Sequence, residues 1–168
     1  MTNSKILVVY YSRSGTTRTI AEVISRALSC NVEEIRVKDD PPGIGGYFRS
    51  CFESMRERPA DFEMLSCDPS AYDLVIIGTP VWAHSMSTPV RSFLAANKTR
   101  LHHVAFFCTH GGWGADGALK KMQTLLGKPP QAICAVTARE VASGRFAAKL
   151  AQFVKALVAG EAEAKRAA

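Results

Sequence analysis

Apolar runs bounded by turn residues recur along the chain at residues 6–11, 32–37, 74–77, 104–108 and 132–136, and most are rich in Val and Ile. They lack the strict polar alternation of a sheet with one wet face, so they predict strands buried on both sides in a parallel sheet. Segments with helical spacing lie between them. Residues 17–28 put Ile20, Ala21, Ile24 and Leu28 on one face, and residues 89–96 open with a proline suited to a first helical turn. Residues 115–126 are stopped by Gly127 and Pro129. Residues 146–158 carry Phe146, Leu150, Phe153, Val154 and Leu157 on one stripe, with Gly160 as the expected C-cap. Alternating strands and helices predict right-handed crossovers and an α/β domain of three layers, αβα, around a doubly wound five-stranded sheet.

One connection breaks the rhythm. Residues 39–70 begin D-D-P-P-G-I-G-G and contain a candidate helix at 47–57 bearing Tyr47, Phe48 and Phe52. A connection that long inside a compact domain is usually functional or a surface elaboration, and this one is placed to cover a site or form a homodimer contact. Aromatics at helical spacing are more often core. The expected organisation is a single domain over residues 1–160 and a polar tail at 161–168.

With 168 residues, 47% of them hydrophobic, the chain has enough apolar material for one well-filled core. Five cysteines at unrelated spacings indicate neither a disulfide framework nor a metal site. A reducing, cytoplasmic setting suits them, and no apolar stretch is long enough to span a bilayer. The net charge of +6 admits an anionic ligand or an acidic partner.

The sharpest local signal follows the first strand. V-V-Y-Y-S-R-S-G-T-T-R-T-I-A-E-V-I, starting at Val8, places Ser12, Ser14, Thr16, Thr17 and Gly15 where a buried strand ends and a helix begins. An anion there meets unpaired amides and the positive end of the helix dipole, with hydroxyls to add donors. A lone S-x-x-T is more often a helix cap; four hydroxyls and a glycine together favour a phosphate. There is no lysine after the glycine and no G-x-G-x-x-G, which excludes the two common nucleotide loops.

Val8, Val9, Tyr10, Ser12, Gly15, Thr17, Ala21 and Ile24 satisfy the FMN-phosphate signature of the flavodoxin family, which the chain resembles from Lys5 to about Val158. The resemblance implies strand order 2-1-3-4-5, with FMN at the switch point between strands one and three. It also implies that Ser12, Ser14, Gly15, Thr16 and Thr17, with the backbone of Arg13, hold the phosphate. Arg13 and Arg18 depart from the mostly neutral family loop; either can offset phosphate charge or point to water.

Two further loops are expected to border the flavin ring. After the third strand come Pro80, Val81, Trp82 and Ala83, where Trp82 either stacks on the isoalloxazine or lies over the sheet edge as a lid on the core. After the fourth come Thr109, His110, Gly111, Gly112 and Trp113, whose glycines let backbone amides approach a ligand edge. Family loops of the second kind usually carry acids, absent here, which leaves the flavin potential open. His84 and His110 are candidates to donate to the ring or protonate an acceptor, or are surface histidines. Cys108 reads as a structural cysteine.

Charge is uneven: residues 1–88 carry 9 basic and 11 acidic side chains, whereas residues 89–149 carry 9 and 2. The basic half suits a phosphate-bearing nicotinamide donor, or serves solubility alone. It does not suit docking on a basic redox partner. Two functions remain: an FMN-dependent oxidoreductase moving electrons from NAD(P)H to a quinone or other small acceptor, and a flavodoxin-type carrier between protein partners. Nucleic-acid binding lacks any supporting motif.

Overall fold

Buried β-branched runs need hydrogen-bond partners on both edges and apolar cover on both faces, and the chain supplies both. The computed structural model describes residues 5–37 and 63–167. The strands are β1 (Ile6–Tyr10), β2 (Asn31–Glu34), β3 (Leu74–Trp82), β4 (Ser85–Met86), β5 (His103–His110) and β6 (Ile133–Thr137). The helices are α1 (Thr16–Leu28), α2 (Thr88–Asn97), α3 (Ala115–Leu126), α4 (Ala138–Ser143) and α5 (Ala147–Ala167).

Five strands pair in parallel in the order β2-β1-β3-β5-β6, and β4 pairs antiparallel with the end of β3. The parallel order is the expected one, and β4 is an addition to it. Alternation along each strand sorts the core into two halves. Leu7, Val9, Val75, Ile77, Phe106 and Cys108 face one side, under Val90, Phe93 and Leu94 of α2 and Leu119, Met122 and Leu126 of α3. Val8, Tyr10, Leu74, Ile76, Ala105 and Phe107 face the other, under Ile20, Ala21 and Ile24 of α1 and Leu150, Phe153 and Leu157 of α5. The three-layer αβα reading is what this packing shows.

Several boundaries differ from those the pattern predicts. Strand β2 is shorter than residues 32–37, ending at Glu34, and Val32 on this edge strand is exposed. Strand β3 runs on past Ile77 through Thr79, Pro80, Val81 and Trp82, positions expected to be loop. Its ladder to β5 ends at Pro80↔Thr109, and Val81 and Trp82 pair instead with Met86 and Ser85. A proline, lacking an amide, marks where one ladder gives way to the other. Helix α5 continues through Gly160 to Ala167, so that glycine is no cap. The short α4 was not expected; its capping box, Thr137 with Glu140, stands in the sequence as T-A-R-E. Candidate helix 47–57, with Tyr47, Phe48 and Phe52, lies outside the described residues.

One glycine is fixed by close packing. A Cβ on Gly78 would fall 2.0 Å from Cζ of Phe107, its cross-strand partner, a fully buried ring. Gly78→Ala is therefore expected to cost about 1–3 kcal/mol by overpacking. Thermal or denaturant unfolding measures it, and Phe107→Leu in the same chain should recover part of the loss. A neutral Gly78→Ala would contradict the packing.

Candidate functional site

In a doubly wound sheet the chain leaves β1 for β2 on one side and returns with β3 on the other, opening a crevice at the carboxyl ends of β1 and β3. Three segments meet that end: residues 11–15, the β3–β4 turn, and residues 110–114.

The first is built for an acceptor. Gly15 is the N-cap of α1 in a left-handed conformation, φ 87°, and no side chain caps the helix. A Cβ at Gly15 would touch nothing within 4 Å, so its backbone angle, not crowding, calls for glycine. The first-turn amides of any helix lack intrahelical partners, and here the cap position, a glycine, has no side chain to offer them. The hydroxyl of Ser12 is buried and has no hydrogen-bond partner among the described residues. Leaving such a group unpaired costs about 1–3 kcal/mol, so the position implies a ligand atom or water. Ser14 and Thr16 hydroxyls lie 3.2 Å apart at the rim. The Thr17 hydroxyl is buried and lies 2.8 Å from that of Thr109 on β5.

Arg18 does not face this cradle. Its Nη2 donates to both carboxylate oxygens of Glu34 at 2.8 and 2.9 Å, and the same ion pair, with Tyr10, raises its already high pKa. Of the two expectations for Arg18, phosphate or water, the second holds: the side chain is exposed and pairs with Glu34 at the surface.

The second segment carries strain. Trp82 and Ser85 pair across a two-residue turn whose central residues, Ala83 and His84, have φ of 47° and 59°. Both-positive φ is the hairpin geometry that Asn-Gly normally fills; in Ala-His it costs about 1 kcal/mol or more per residue. Surrounding contacts hold it. The amide of Ser87 donates to Thr79 Oγ1 at 2.9 Å, Arg91 Nη2 donates to Ser85 Oγ at 3.0 Å, and all three hydroxyl residues are buried. From the far side α3 presses directly on the turn: a Cβ on Gly117 would sit 2.8 Å from the His84 carbonyl oxygen. Thr79, Ser85 and Ser87 are site-building residues that the sequence reading passed over; the hydroxyl-rich S-M-S-T before Pro89 was their signal.

Trp82 is 4% exposed and meets Tyr11 edge-on, with ring centroids 5.6 Å apart at 85°. It is packed into the core, the lid alternative, and offers no open face. The exposed indole at this end is Trp113, 65% accessible, tilted against the His84 ring with centroids 4.2 Å apart and planes at 59°. Pro80 and Val81 are half-buried and Ala83 sits in the strained turn.

The third segment leaves β5 at His110. Its Nδ1 accepts from the Gly112 amide at 3.2 Å, which puts the neutral ring's hydrogen on Nε2. Gly112 has φ 136°, and neither it nor Gly111 has an atom within 4 Å of where a Cβ would stand. The loop is open, as expected, although one of its amides is spent on His110. Cys108 is buried, and burial pushes its thiol up to about 12, which fits a structural role. No group of three His, Cys, Asp or Glu among the described residues could hold a metal.

The family model for NADPH-dependent FMN reductases matches residues 4–148. Among solved structures, a flavoprotein in complex with FMN from Lactobacillus acidophilus NCFM superposes with TM-score 0.70 at 24% identity, covering 84% of this chain and 98% of its own. A candidate flavoprotein from Bacteroides eggerthii DSM 20697 gives 0.68 at 20%, covering 88% and 98%. An NADH:FMN oxidoreductase in its apo form gives 0.56 at 15%, covering 91% and 87%. These likenesses show the flavodoxin-like fold. No curated protein matches the sequence. No helix among the described residues is long and apolar enough to cross a membrane.

Burial, reinforced by the Lys149 ammonium, lowers the His110 pKa from its ordinary 6.5, with Glu140 and Asp116 pulling weakly the other way. As pH falls the unfolded chain takes up this proton first, so the associated stability is whole above 6.5 and is lost as pH drops through the lower folded midpoint. NMR titration should place His110 below 6.5, and His110→Gln should flatten the fall in stability as pH drops below 6.5. A midpoint at or above the ordinary value would refute the burial argument.

Proposed function

The chain belongs to the family of NADPH-dependent FMN reductases, and from that premise we propose that it draws electrons from NAD(P)H and passes them to a quinone or another small acceptor. FMN is its cofactor and, when bound, supplies the redox chemistry that no side chain carries. The residues present fit that group. One observation carries the assignment of its phosphate: a buried, unpartnered Ser12 hydroxyl beside an uncapped helix N-terminus. Both features stabilise an acceptor-only anion and neither is satisfied by the protein itself.

The chain's own groups divide the work. Ser12, Ser14, Thr16 and Thr17, with the amides of residues 13–17, hold the phosphate. Pro80, Val81 and Ala83 border the ring on one side, with Trp82 and Tyr11 as the packed wall behind them. His110, Gly111, Gly112 and Trp113 border it on the other, with the buried Thr109 behind them. His110, neutral and protonated on Nε2, offers a donor to the ring or to an acceptor lying on it; His84 serves to fix the turn and the Trp113 indole. The basic surface of residues 89–149 favours the anionic nicotinamide donor over a basic protein partner.

Purified protein should show the visible bands of oxidised flavin, and NADH or NADPH should bleach them anaerobically, with colour returning on addition of a quinone. Failure of both nicotinamides to reduce the flavin would leave the carrier role in its place. Ser12→Ala should weaken FMN roughly tenfold, about 1.4 kcal/mol, yet leave the apo-protein as stable or slightly more so. That opposite pair of effects separates a ligand-binding hydroxyl from a structural one. Equal FMN affinity in wild type and variant would remove Ser12 from the site.

A further inference from the structure

The hydroxyls of Thr17 and Thr109 are 2.8 Å apart, with either able to donate. Both residues are buried, 1% and 4% exposed, and 92 positions separate them in sequence. Among the described residues neither hydroxyl has a second partner. A hydroxyl owns one hydrogen and two lone pairs, so a mutual pair spends one hydrogen and leaves one over. Which residue keeps the spare hydrogen decides what the pair can do. If Thr17 donates, its oxygen has only lone pairs left for the phosphate loop. If Thr109 donates, Thr17 keeps its hydrogen for an acceptor at the start of α1.

We propose that Thr109 is a positioning residue for the FMN phosphate, donating to Thr17 Oγ1 so that the Thr17 hydroxyl hydrogen points to the anion. This rests on the phosphate assignment of the loop given above. A phosphate monoester near neutral pH presents only acceptors on most of its oxygens, so its arrival selects the Thr109→Thr17 direction. Two hydroxyls in series, in a dry setting, polarise each other and strengthen the outer bond. The pair also spans the site: Thr17 belongs to the helix at the phosphate end, and Thr109 precedes His110 on the strand that carries the loop of residues 110–114. The bond therefore fixes the distance between the two halves of the cofactor cradle.

Riboflavin separates this role from plain packing, because it has the ring and ribityl chain without the phosphate. Apo-protein is titrated with FMN and with riboflavin, following flavin fluorescence, for wild type, Thr109→Val, Thr109→Ala and Thr109→Ser. Wild type should bind FMN more tightly than riboflavin. Thr109→Val should weaken FMN by about tenfold and riboflavin by less than about twofold, Thr109→Ser should keep the wild-type ratio, and Thr17→Val should gain no further loss from Thr109→Val. If the valine variant does not fold, the alanine variant is read by the same ratio. An unchanged FMN-to-riboflavin ratio in the folded variant, or equal losses for both ligands, overturns the proposal while the phosphate loop stands. A wild type that binds both ligands equally well overturns the phosphate assignment itself, and this inference with it.

Discussion

Everything at the carboxyl end of the sheet depends on a helix that begins without a cap. Helix α1 has Gly15 at its cap position, which offers no side chain to the first amides, and among the described residues the buried Ser12 hydroxyl beside it has no partner. A protein that ends a helix this way carries an electrostatic deficit: several donors and a partial positive charge with nothing accepting from them. The usual remedy, a Ser, Thr, Asp or Asn at the cap position, is worth about 1 kcal/mol. Here glycine stands at that position, and hydroxyl residues surround it without taking up the amides. Acceptors must come from outside, and this fits a flavin phosphate.

The opposite side of the cradle is held by force rather than by vacancy. Ala83 and His84 occupy left-handed backbone positions that neither prefers. The turn persists because two ladders end against it, buried hydroxyls on Thr79 and Ser87 tie its base, and α3 leaves no room behind it at Gly117. Such strain survives only where neighbouring structure over-determines it. The result is a row of aromatic rings, Tyr11 against Trp82 and His84 against Trp113, in which one indole is sealed in the core and the other stays exposed.

The strand and helix pattern was legible because buried parallel strands and amphipathic helices write themselves as runs and stripes; Ala115–Leu126 was delimited to the residue by its glycine. The hydroxyl-rich loop ahead of α1 was legible as a candidate anion site because its chemistry sits in one contiguous stretch. What escaped was non-local. Nothing near Thr79 says that its strand runs on to Trp82, since that depends on pairing with Thr109 and Ser85. Trp82 was read as a possible platform because exposure is a property of what packs on a ring, and Tyr11 and the core cluster around it come from other segments. Gly160 was read as a stop because glycine ends many helices; α5 passes through it, showing that propensity of about 1 kcal/mol does not by itself end a helix of 21 residues.

The departure of Arg18 from the loop has a consequence for how the anion is balanced. Its guanidinium is held by Glu34 in a two-pronged pair on the outer strand, so its charge is already compensated before a ligand arrives. A phosphate held here as proposed, carrying about −1.5 to −2 charges, would then draw on amides, hydroxyls and the helix dipole at contact range rather than on Arg18. The surplus of 9 basic over 2 acidic side chains in residues 89–149 adds a field, felt at His110 through Lys149 and reduced beyond roughly 8–10 Å by physiological salt. Contact donors set the affinity and specificity for the phosphate, because they are short-range and directional. The distant field sets how readily anionic molecules reach the crevice. With the phosphate held as proposed, the expected outcome is a weak salt dependence of the cofactor's off-rate beside a strong one for the nicotinamide's on-rate, which stopped-flow at varied ionic strength measures.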